Sequence, residues 1–459
     1  MSKNTIFEIY FKFQFLEQMK NNFLLLFLVL FVACKKKAEK QADKQAEIKT
    51  ETPAAAPPQY QEPAKAVVEP KKVEEPFVLN TEKPNFKFIS HKISLKKGIK
   101  FPLYTPEGYH VSISYEGLNR LRFLTPSPDG RLFATDMFNK SDNKKGKVLI
   151  FDGWNDATHS YKSCKIYLSN LHNCNQVAFY KDNGKQYIYV SETGKLTRYE
   201  YQTGDSVPRD KGQIVARFPD FGLDYKYGGW HLTRSLTFYN NKLYVSVGSS
   251  CNACIEKEEI RSTIVEMNPD GSNQRFFARG LRNSVQLKWL GGKMWVTSMG
   301  RDQIGPDKPE EMFHTVADGG FYGFPFYYQY QGKVYADPQF KDSTRAKWVK
   351  EPTVAFCGFK AHSAPLGFDY FKNFDDLNLK NAFLLALHGS NMIWRERGNA
   401  VVKARGTNDY DEIVKGFLPK GGKEEKDRKG RPCDVLMRDN KSFFITDDLN
   451  GVLYCVWKD

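Results

Sequence analysis

Two cysteines three positions apart form the most distinctive reactive pair in this 459-residue sequence. Cys251-Asn-Ala-Cys254 has the CxxC spacing found in haem, zinc, redox and disulfide sites. No His follows Cys254, which excludes c-type haem attachment, and the lack of a second CxxC disfavours a zinc site. No βαβ pattern surrounds the pair, as a thioredoxin-like redox motif would require. The spacing therefore favours a local disulfide that braces a loop.

Composition and missing motifs exclude several other functions. The sequence has no Ser-His-Asp motif, no phosphate-binding Gly-rich loop and no haem domain. Its net charge is +15, most of it carried beyond residue 75, so the folded part should attract anions. We find no basic helix and no known nucleic-acid-binding module, and we therefore expect no nucleic-acid partner.

A repeated hairpin pattern should position the reactive residues. Each copy is an apolar strand, a Gly- or Asn-containing turn, a Lys or Arg, and an aromatic-rich strand. Five clear copies and one weaker one lie at 121–136, 177–192, 235–249, 285–300, 434–448 and, as the weaker copy, 379–390. The turns PDG, DNG, YNN, LGG and RDN suit hairpins, because Gly and Asn tolerate positive φ.

The repeat predicts an all-β, six-bladed β-propeller over residues 86–459. Further strands follow some hairpins, as in GKLTRYEYQ at 194–202 and GVLYCVW at 451–457. Short strands repeated six times without helical periodicity are typical of a propeller, and the hairpin repeat argues against a two-sheet sandwich. Residues near 86–115 should supply the strand that closes the ring against the last blade.

The N-terminus resembles a bacterial lipoprotein signal. Residues 23–33 are uninterrupted apolar residues, which is too short for a comfortable membrane span and right for a signal-peptide core. This predicts a signal peptide over 1–33, with translation starting at Met19 as a further hypothesis, and lipidation at Cys34. A membrane anchor that is never cleaved is the alternative.

Residues 34–85 should form a disordered tether. They are rich in Lys, Glu, Ala and Pro and nearly free of bulky apolar side chains. Such a segment buries too little surface to offset the entropy of ordering it. We therefore expect a cell-envelope protein, lipid-anchored at the outer membrane or facing the periplasm, where an oxidising environment permits disulfides.

Several motifs resemble the glucose/sorbosone dehydrogenase family. GWHLTRSLTFYNNKLYVSVGSSCNACIE at 229–256, FARGLRNSVQLKW at 277–289, SMGRDQIGPDKPEEM at 298–312 and GRPCDVL at 430–436 match in order, within a likeness spanning about 115–457. GSSCNAC and AHSAPLG favour the sorbosone-dehydrogenase branch. The resemblance implies an exported six-bladed propeller that oxidises a sugar, polyol or sugar aldehyde with pyrroloquinoline quinone (PQQ), passing electrons to a separate acceptor.

The family's residues can be carried over by position. His231 occupies the place of the base that removes the substrate hydroxyl proton, a role that suits a His near neutral pH. Arg282 and Asn283 match a cofactor-contacting pair, and Arg431 matches another cofactor-facing Arg. Arg234, beside His231, is a plausible addition, since a guanidinium binds carboxylates bidentately.

The resemblance also implies a calcium ion that bridges quinone and protein. Calcium takes oxygen ligands, including backbone carbonyls. The matching loop predicts the carbonyls of Gly300 and Arg301 as ligands, with Asp302 and Tyr322 as nearby helpers. His362 and His388 match branch motifs, and we expect both to be buried, hydrogen-bonded structural residues.

Departures from the family pattern leave a second hypothesis open. Trp230 stands where the glucose-oxidising relatives have an orienting Asp, and Met299 where a polar residue is common. The Lys that contacts the quinone has no clear match, with Ser390 near its position, and HGSW becomes HGSN at Asn391. The alternative is a cofactor-free envelope propeller that binds a glycan or protein partner.

Overall fold

The computed structural model describes residues 76–220, 231–389, 397–422 and 425–459. Strands dominate these stretches, which also contain one 3-10 turn at Glu425–Asp427 and no α-helix. Within them, no helix is long and apolar enough to cross a membrane. The predictions for the signal peptide and for Met19 and Cys34 concern residues outside the described stretches.

Six sheets form the body and confirm the predicted all-β six-bladed propeller. With strands numbered in chain order, blade 1 contains β4 (Leu121–Pro126), β5 (Leu132–Asp136), β6 (Gly146–Asn155) and β7 (Ser160–Leu171). Blade 2 contains β8 (Val177–Asp182), β9 (Lys185–Ser191), β10 (Lys195–Glu200) and β11 (Gln213–Arg217). Blade 3 contains β12 (Leu236–Tyr239), β13 (Lys242–Val247), β14 (Thr263–Met267), β15 (Arg275–Arg279) and, parallel to β15, β19 (Gly320–Phe321).

The remaining three blades complete the ring. Blade 4 contains β16 (Ser284–Leu290), β17 (Lys293–Ser298), β18 (Glu311–Val316) and β22 (Cys357–Phe359). Blade 5 contains β23 (Pro365–Tyr370), β24 (Phe383–Leu387), β25 (Ala400–Gly406) and β26 (Asp409–Val414). Blade 6 contains β27 (Pro432–Met437), β28 (Ser442–Asp447), β29 (Val452–Lys458) and β3 (Tyr109–Tyr115). Two hairpins lie outside the blades, β1 (Phe88–Ser94) with β2 (Lys100–Pro106) and β20 (Tyr327–Tyr330) with β21 (Lys333–Ala336).

Blade 6 closes the ring as the sequence predicted. Its outer strand β3 precedes blade 1 in the chain, yet it pairs antiparallel with β29, the last strand. This pairing joins the first part of the propeller chain to its last strand, and it therefore closes the ring.

The hairpin turns use the backbone geometry that the sequence indicated. Asn183 and Gly184 join β8 to β9, and both have positive φ, at 48° and 83°. Asn240 and Asn241 do the same between β12 and β13, at 46° and 56°. Two consecutive left-handed residues are typical of a type I′ turn, whose twist matches that of the flanking strands.

Each interface between neighbouring blades has its own buried apolar cluster. A small further cluster gathers Phe123, Val285, Leu366 and Cys433, one residue from each of four first strands, near the axis. Hydroxyls at equivalent places in the second strands also link adjacent blades. Thr135, Ser191, Thr297 and Thr446 each donate to a backbone carbonyl of the next blade, at 2.6 to 2.7 Å.

The chain joins the propeller earlier than the predicted boundary at residue 85. The Phe77 ring packs against Tyr370, with ring centroids 4.9 Å apart, and also contacts Trp295 and Phe383. The buried Lys403 ammonium donates to the side chain of Asn80 at 3.1 Å. Residues 76–85 therefore pack on the body, because the apolar side chains of Phe77 and Leu79 anchor this segment against the cluster between blades 4 and 5.

Candidate active site

One end of the propeller collects the predicted site residues. In each blade the first two strands are antiparallel, so the start of the first lies beside the end of the second, as in the pairs Leu121 with Asp136 and Pro432 with Asp447. The first strands also surround the axis. Residues just before a first strand and just after a second strand therefore meet near the axis at a single end.

His231 is held by the segment that follows β13. Its Nδ1 lies 2.9 Å from both the carbonyl oxygen and the hydroxyl of Ser249. A carbonyl can only accept, so Nδ1 carries the hydrogen and Nε2 keeps its lone pair in the neutral ring. Burial, together with the nearby Arg282 charge, lowers the pKa of His231 to about 3. The imidazole is therefore neutral at physiological pH, with Nε2 as its basic nitrogen.

The cysteine pair braces the loop beside this His. Cys251 and Cys254 form a disulfide, with Cα atoms 6.2 Å apart. Ser249 donates its hydroxyl to the Cys251 carbonyl at 2.8 Å, so the same hydroxyl oxygen faces His231 as an acceptor. The disulfide loop thus fixes the partner that orients the imidazole.

Asn252, between the two cysteines, connects the loop to blade 4, and sequence reasoning gave it no role. Its Oδ1 accepts from Arg282 Nη2 at 3.0 Å and from the Asp302 backbone N–H at 2.8 Å. Its Nδ2 donates to the Asp302 carbonyl at 3.1 Å. In the sequence, one feature could have indicated this role: Asn252 is an amide side chain between two cysteines predicted to pair.

Arg282 lies at the centre of these contacts. Its Nε donates to the Asn252 carbonyl and its Nη1 to the Gly300 carbonyl, both at 2.8 Å. The side chain is buried, and that burial lowers its pKa. Its carbonyl accepts from the Ser249 N–H at 2.7 Å, which links Arg282 to the residue that orients His231. The structure therefore brings Arg282 and His231 together, as the motifs indicated.

Asn283 also lies beside His231. A Cβ placed on Gly248 would be 2.6 Å from His231 Cβ and 3.0 Å from Asn283 Oδ1, so the two side chains flank this glycine. Asn283 Nδ2 donates to the Met299 sulfur at 3.3 Å. Met299 thus contacts a site residue as a weak acceptor.

Arg234 lies beside His231, where the sequence places it. Its guanidinium donates to the carbonyls of His231, Thr233 and Pro219 at 2.7 to 2.9 Å. Burial lowers its pKa to about 9. These donors point back into the segment that carries His231, so Arg234 holds that segment in place, and its predicted contact with a cofactor stays a prediction.

The predicted calcium ligands surround a cavity of only about 20 Å³, which holds roughly one water molecule. Gly300, Arg301 and Tyr322 all line it, as does Arg282. The Gly300 carbonyl already accepts from the Arg282 guanidinium at 2.8 Å. Among the described residues, Asp337 is the only carboxylate that lines the cavity, and it lies 2.7 Å from Arg301 Nε. Two guanidiniums and one paired carboxylate do not fit a calcium ion.

Tyr322 and Asp302, the two residues predicted to lie near the calcium ion, make hydrogen bonds within the protein. The Tyr322 hydroxyl accepts from the Ala317 N–H at 2.8 Å. Asp302 Oδ1 lies 3.3 Å from His362 Nδ1, and this bond lowers the pKa of Asp302 against the opposing effect of burial. His362 is thus a buried, hydrogen-bonded residue, as the sequence predicted. Its pKa is raised, chiefly by the hydrogen bond with Asp302.

Glu311 is a buried carboxylate that the sequence did not reveal. Its oxygens accept from the backbone N–H groups of Gly300 at 2.9 Å and His362 at 3.1 Å. Burial raises its pKa to about 7. Glu311 therefore holds two segments of the site in place.

Arg431 belongs to a second basic cluster at the same end. It donates to the carbonyls of His388 and Gly389, and burial lowers its pKa to about 9. His388 Nε2 lies 2.7 Å from Asp448 Oδ1, as expected for a buried structural His. Arg120 and Arg122, which sequence reasoning missed, lie 2.8 and 2.7 Å from the same carboxylate. Trp230, Ser390 and Asn391 lie outside the described residues.

The sequence is similar to that of a bacterial protein over most of its length. No protein-family model matches the chain. An uncharacterized protein from Borreliella burgdorferi is 23% identical over 374 residues, which cover 77% of this chain and 90% of that protein.

Two solved structures are similar over most of the chain. A carbohydrate-active enzyme of family AA12 from Trichoderma reesei has a TM-score of 0.62 and 18% identity, covering 77% of this chain and 97% of that one. The PQQ domain of a pyranose dehydrogenase from Coprinopsis cinerea, in its holo form, has a TM-score of 0.61 and 16% identity, covering 82% and 98%. The chain shares its fold with these proteins.

Proposed function

We propose that the protein is a sugar oxidoreductase that transfers hydride from a sugar, polyol or sugar aldehyde to PQQ. One arrangement carries the proposal: a neutral His231 with a basic Nε2, fixed beside Arg282 and Asn283 at the axial end of the propeller. The fold likeness to the PQQ domain of a pyranose dehydrogenase supports the same chemistry.

The basic residues fit a cofactor with several carboxylates. Arg282, Arg431, Arg120 and Arg122 lie at one end of the propeller, and the last two share the carboxylate of Asp448. The buried Nε of Arg120 has no hydrogen-bond partner among the described residues. PQQ carries three carboxylates, which guanidiniums bind bidentately, so these residues would hold it. When bound, it would supply the hydride acceptor.

His231 would act on the substrate proton. In the neutral ring Nε2 can accept the hydroxyl proton of the substrate, while Nδ1 stays bound to Ser249. In the glucose-oxidising relatives an Asp orients this His, but Trp230 stands at that position here. Ser249 would orient the His231 ring instead. When His231 accepts the proton it becomes an imidazolium, and the nearby positive charge of Arg282 disfavours this form. A bound anionic group would offset that charge and help His231 act as a base.

We further propose that the protein is lipid-anchored through Cys34 in the cell envelope and passes electrons to a separate acceptor. The Cys251–Cys254 disulfide supports an oxidising compartment. A Cys34→Ala variant should leave the membrane fraction, and intact-mass analysis of the mature wild type should show an acylated N-terminus. Unmodified wild-type protein would contradict the anchor.

A titration with PQQ, followed by dye reduction, tests the activity. We expect stoichiometric binding by absorbance and turnover with some member of a panel of aldoses, alditols and sorbosone. His231→Ala should abolish turnover, whereas His91→Ala, on the distant strand β1, should not. Binding without turnover on the whole panel would refute the activity. Failure to bind PQQ would favour a cofactor-free propeller that binds a glycan or protein.

A further inference from the structure

A second cavity, of about 260 Å³, lies beside the outer strands β14 and β15 of blade 3. Phe324, Phe326 and Trp348 form aromatic walls, and Ile255 of the disulfide region completes the apolar lining. Trp348 is 45% exposed, which is high for so large an apolar side chain. An apolar pocket with a few polar groups is the usual form of a small-ligand site.

The charged groups that line this cavity balance each other. Two carboxylates and two guanidiniums line it, those of Glu256, Glu259, Arg261 and Arg279. The Arg279 guanidinium lies 3.5 Å from Glu259, and Arg261 lies 2.6 Å from Glu258 outside the lining. A charged ligand would therefore be repelled by two of these groups and attracted by the other two, so the pocket favours a neutral ligand.

Polar groups in the lining favour a hydroxylated ligand over a purely apolar one. The Ser262 side chain is 4% exposed, and its hydroxyl has no hydrogen-bond partner among the described residues. An apolar ligand would leave this hydroxyl unsatisfied and would desolvate the carboxylates and guanidiniums without replacing their hydrogen bonds, which disfavours its binding. Ligand hydroxyls can both donate to carboxylates and accept from guanidiniums.

We propose that this cavity binds a neutral sugar ring, with the apolar face of the ring against Trp348. The Arg279 guanidinium lies 4.9 Å from the Trp348 ring centroid and would hold the indole in place. Asn252 contacts the Arg282 site from within the disulfide loop, and Ile255 and Glu256 directly after it line the cavity. Resting on the proposed function, the natural ligand is therefore an oligosaccharide whose terminal unit reaches His231.

Ligand-observed NMR on the full-length protein without cofactor tests binding independently of catalysis. Maltose, cellobiose, chitobiose and glucose are the probes, and we expect saturation transfer to at least one disaccharide. Trp348→Ala should weaken that binding about tenfold or more, as for a central aromatic contact. Ser262→Ala should weaken it less and leave folding intact, and Lys347→Ala, in the same loop, is the control. No transfer to any probe, or equal binding by Trp348→Ala, would overturn the proposal.

Two further measurements complete the test. Displacement of the disaccharide by indole at equimolar concentration would show that the pocket takes an apolar aromatic ligand, which also overturns it. In the reconstituted enzyme, Trp348→Ala should raise KM for the disaccharide about tenfold, whereas Lys347→Ala should leave it unchanged. If no sugar is oxidised at all, the proposed function fails, while the NMR result still decides the pocket.

Discussion

Replacing Asn252 by Ala should damage the candidate active site most directly. The Asn252 side chain makes three hydrogen bonds, one of them to the charged guanidinium of Arg282. A hydrogen bond to a charged group contributes about 1.5–3 kcal/mol and a neutral one about 0.5–1.5 kcal/mol. Allowing for water that replaces part of the loss, we expect the free energy of unfolding to fall by about 2–4 kcal/mol. PQQ should bind at least about tenfold more weakly, because Arg282 loses one of its anchors.

Urea denaturation and absorbance titration with PQQ measure the two effects separately. Asn252→Asp keeps the oxygen that faces Arg282 and Asp302 N–H but turns the Nδ2 donor into a charged oxygen that faces the Asp302 carbonyl, so it should recover part of the stability and little of the PQQ affinity. Lys257→Ala, exposed in the following segment, should resemble the wild type. An Asn252→Ala variant with unchanged stability and unchanged PQQ affinity would refute the role assigned to this loop.

Four more outcomes can be measured. The pKa of His231 is about 3, so His231 itself should add no acid limb to kcat/KM between pH 7 and pH 5; a limb near 6.5 that persists in Glu311→Gln, where the carboxyl of pKa about 7 is removed, would contradict this. Since unfolded His takes up a proton near pH 6.5 and the buried ring does not, His231 should contribute a loss of stability below that pH, so wild type and His231→Ala should differ in how their urea midpoints change with pH. EDTA should not weaken PQQ binding, because Arg282 holds the Gly300 carbonyl; restoration by added calcium would contradict that reasoning. Phe77→Ala should lower the free energy of unfolding by about 2–4 kcal/mol in urea denaturation, whereas the exposed neighbour in Val78→Ala should change it little.

The sequence predicted the propeller well because five of its hairpins are continuous. β4–β5 and β8–β9, for example, are joined by short turns whose Gly and Asn residues are visible in the sequence. Blade 5 produced only a weak copy, since residues 371–382 separate β23 from β24 and hide the first strand from any search for a hairpin. Local patterns therefore reveal a blade only when both strands are close in sequence.

Side-chain direction in the site could not be predicted in the same way. Arg234 and Arg282 both precede the first strand of a blade, and each is followed by Ser or Asn. Arg234 bonds to carbonyls of its own segment, whereas Arg282 bonds to Asn252 and Gly300. What distinguishes the two is the presence of a disulfide loop next to one of them, which is a property of the assembled blades.

The disulfide loop links the two proposed sites through one short covalent constraint. Asn252 lies inside the ring that Cys251 and Cys254 close, and it contacts Arg282. Glu256, two residues beyond, accepts from the Ser250 backbone N–H at 2.9 Å and lines the sugar cavity. The disulfide reduces the conformations open to this loop. It therefore helps to fix Asn252 beside Arg282 and Glu256 beside the cavity without a large buried core around the loop. Its spacing, conspicuous in the sequence as a possible redox or metal motif, is therefore best explained by positioning.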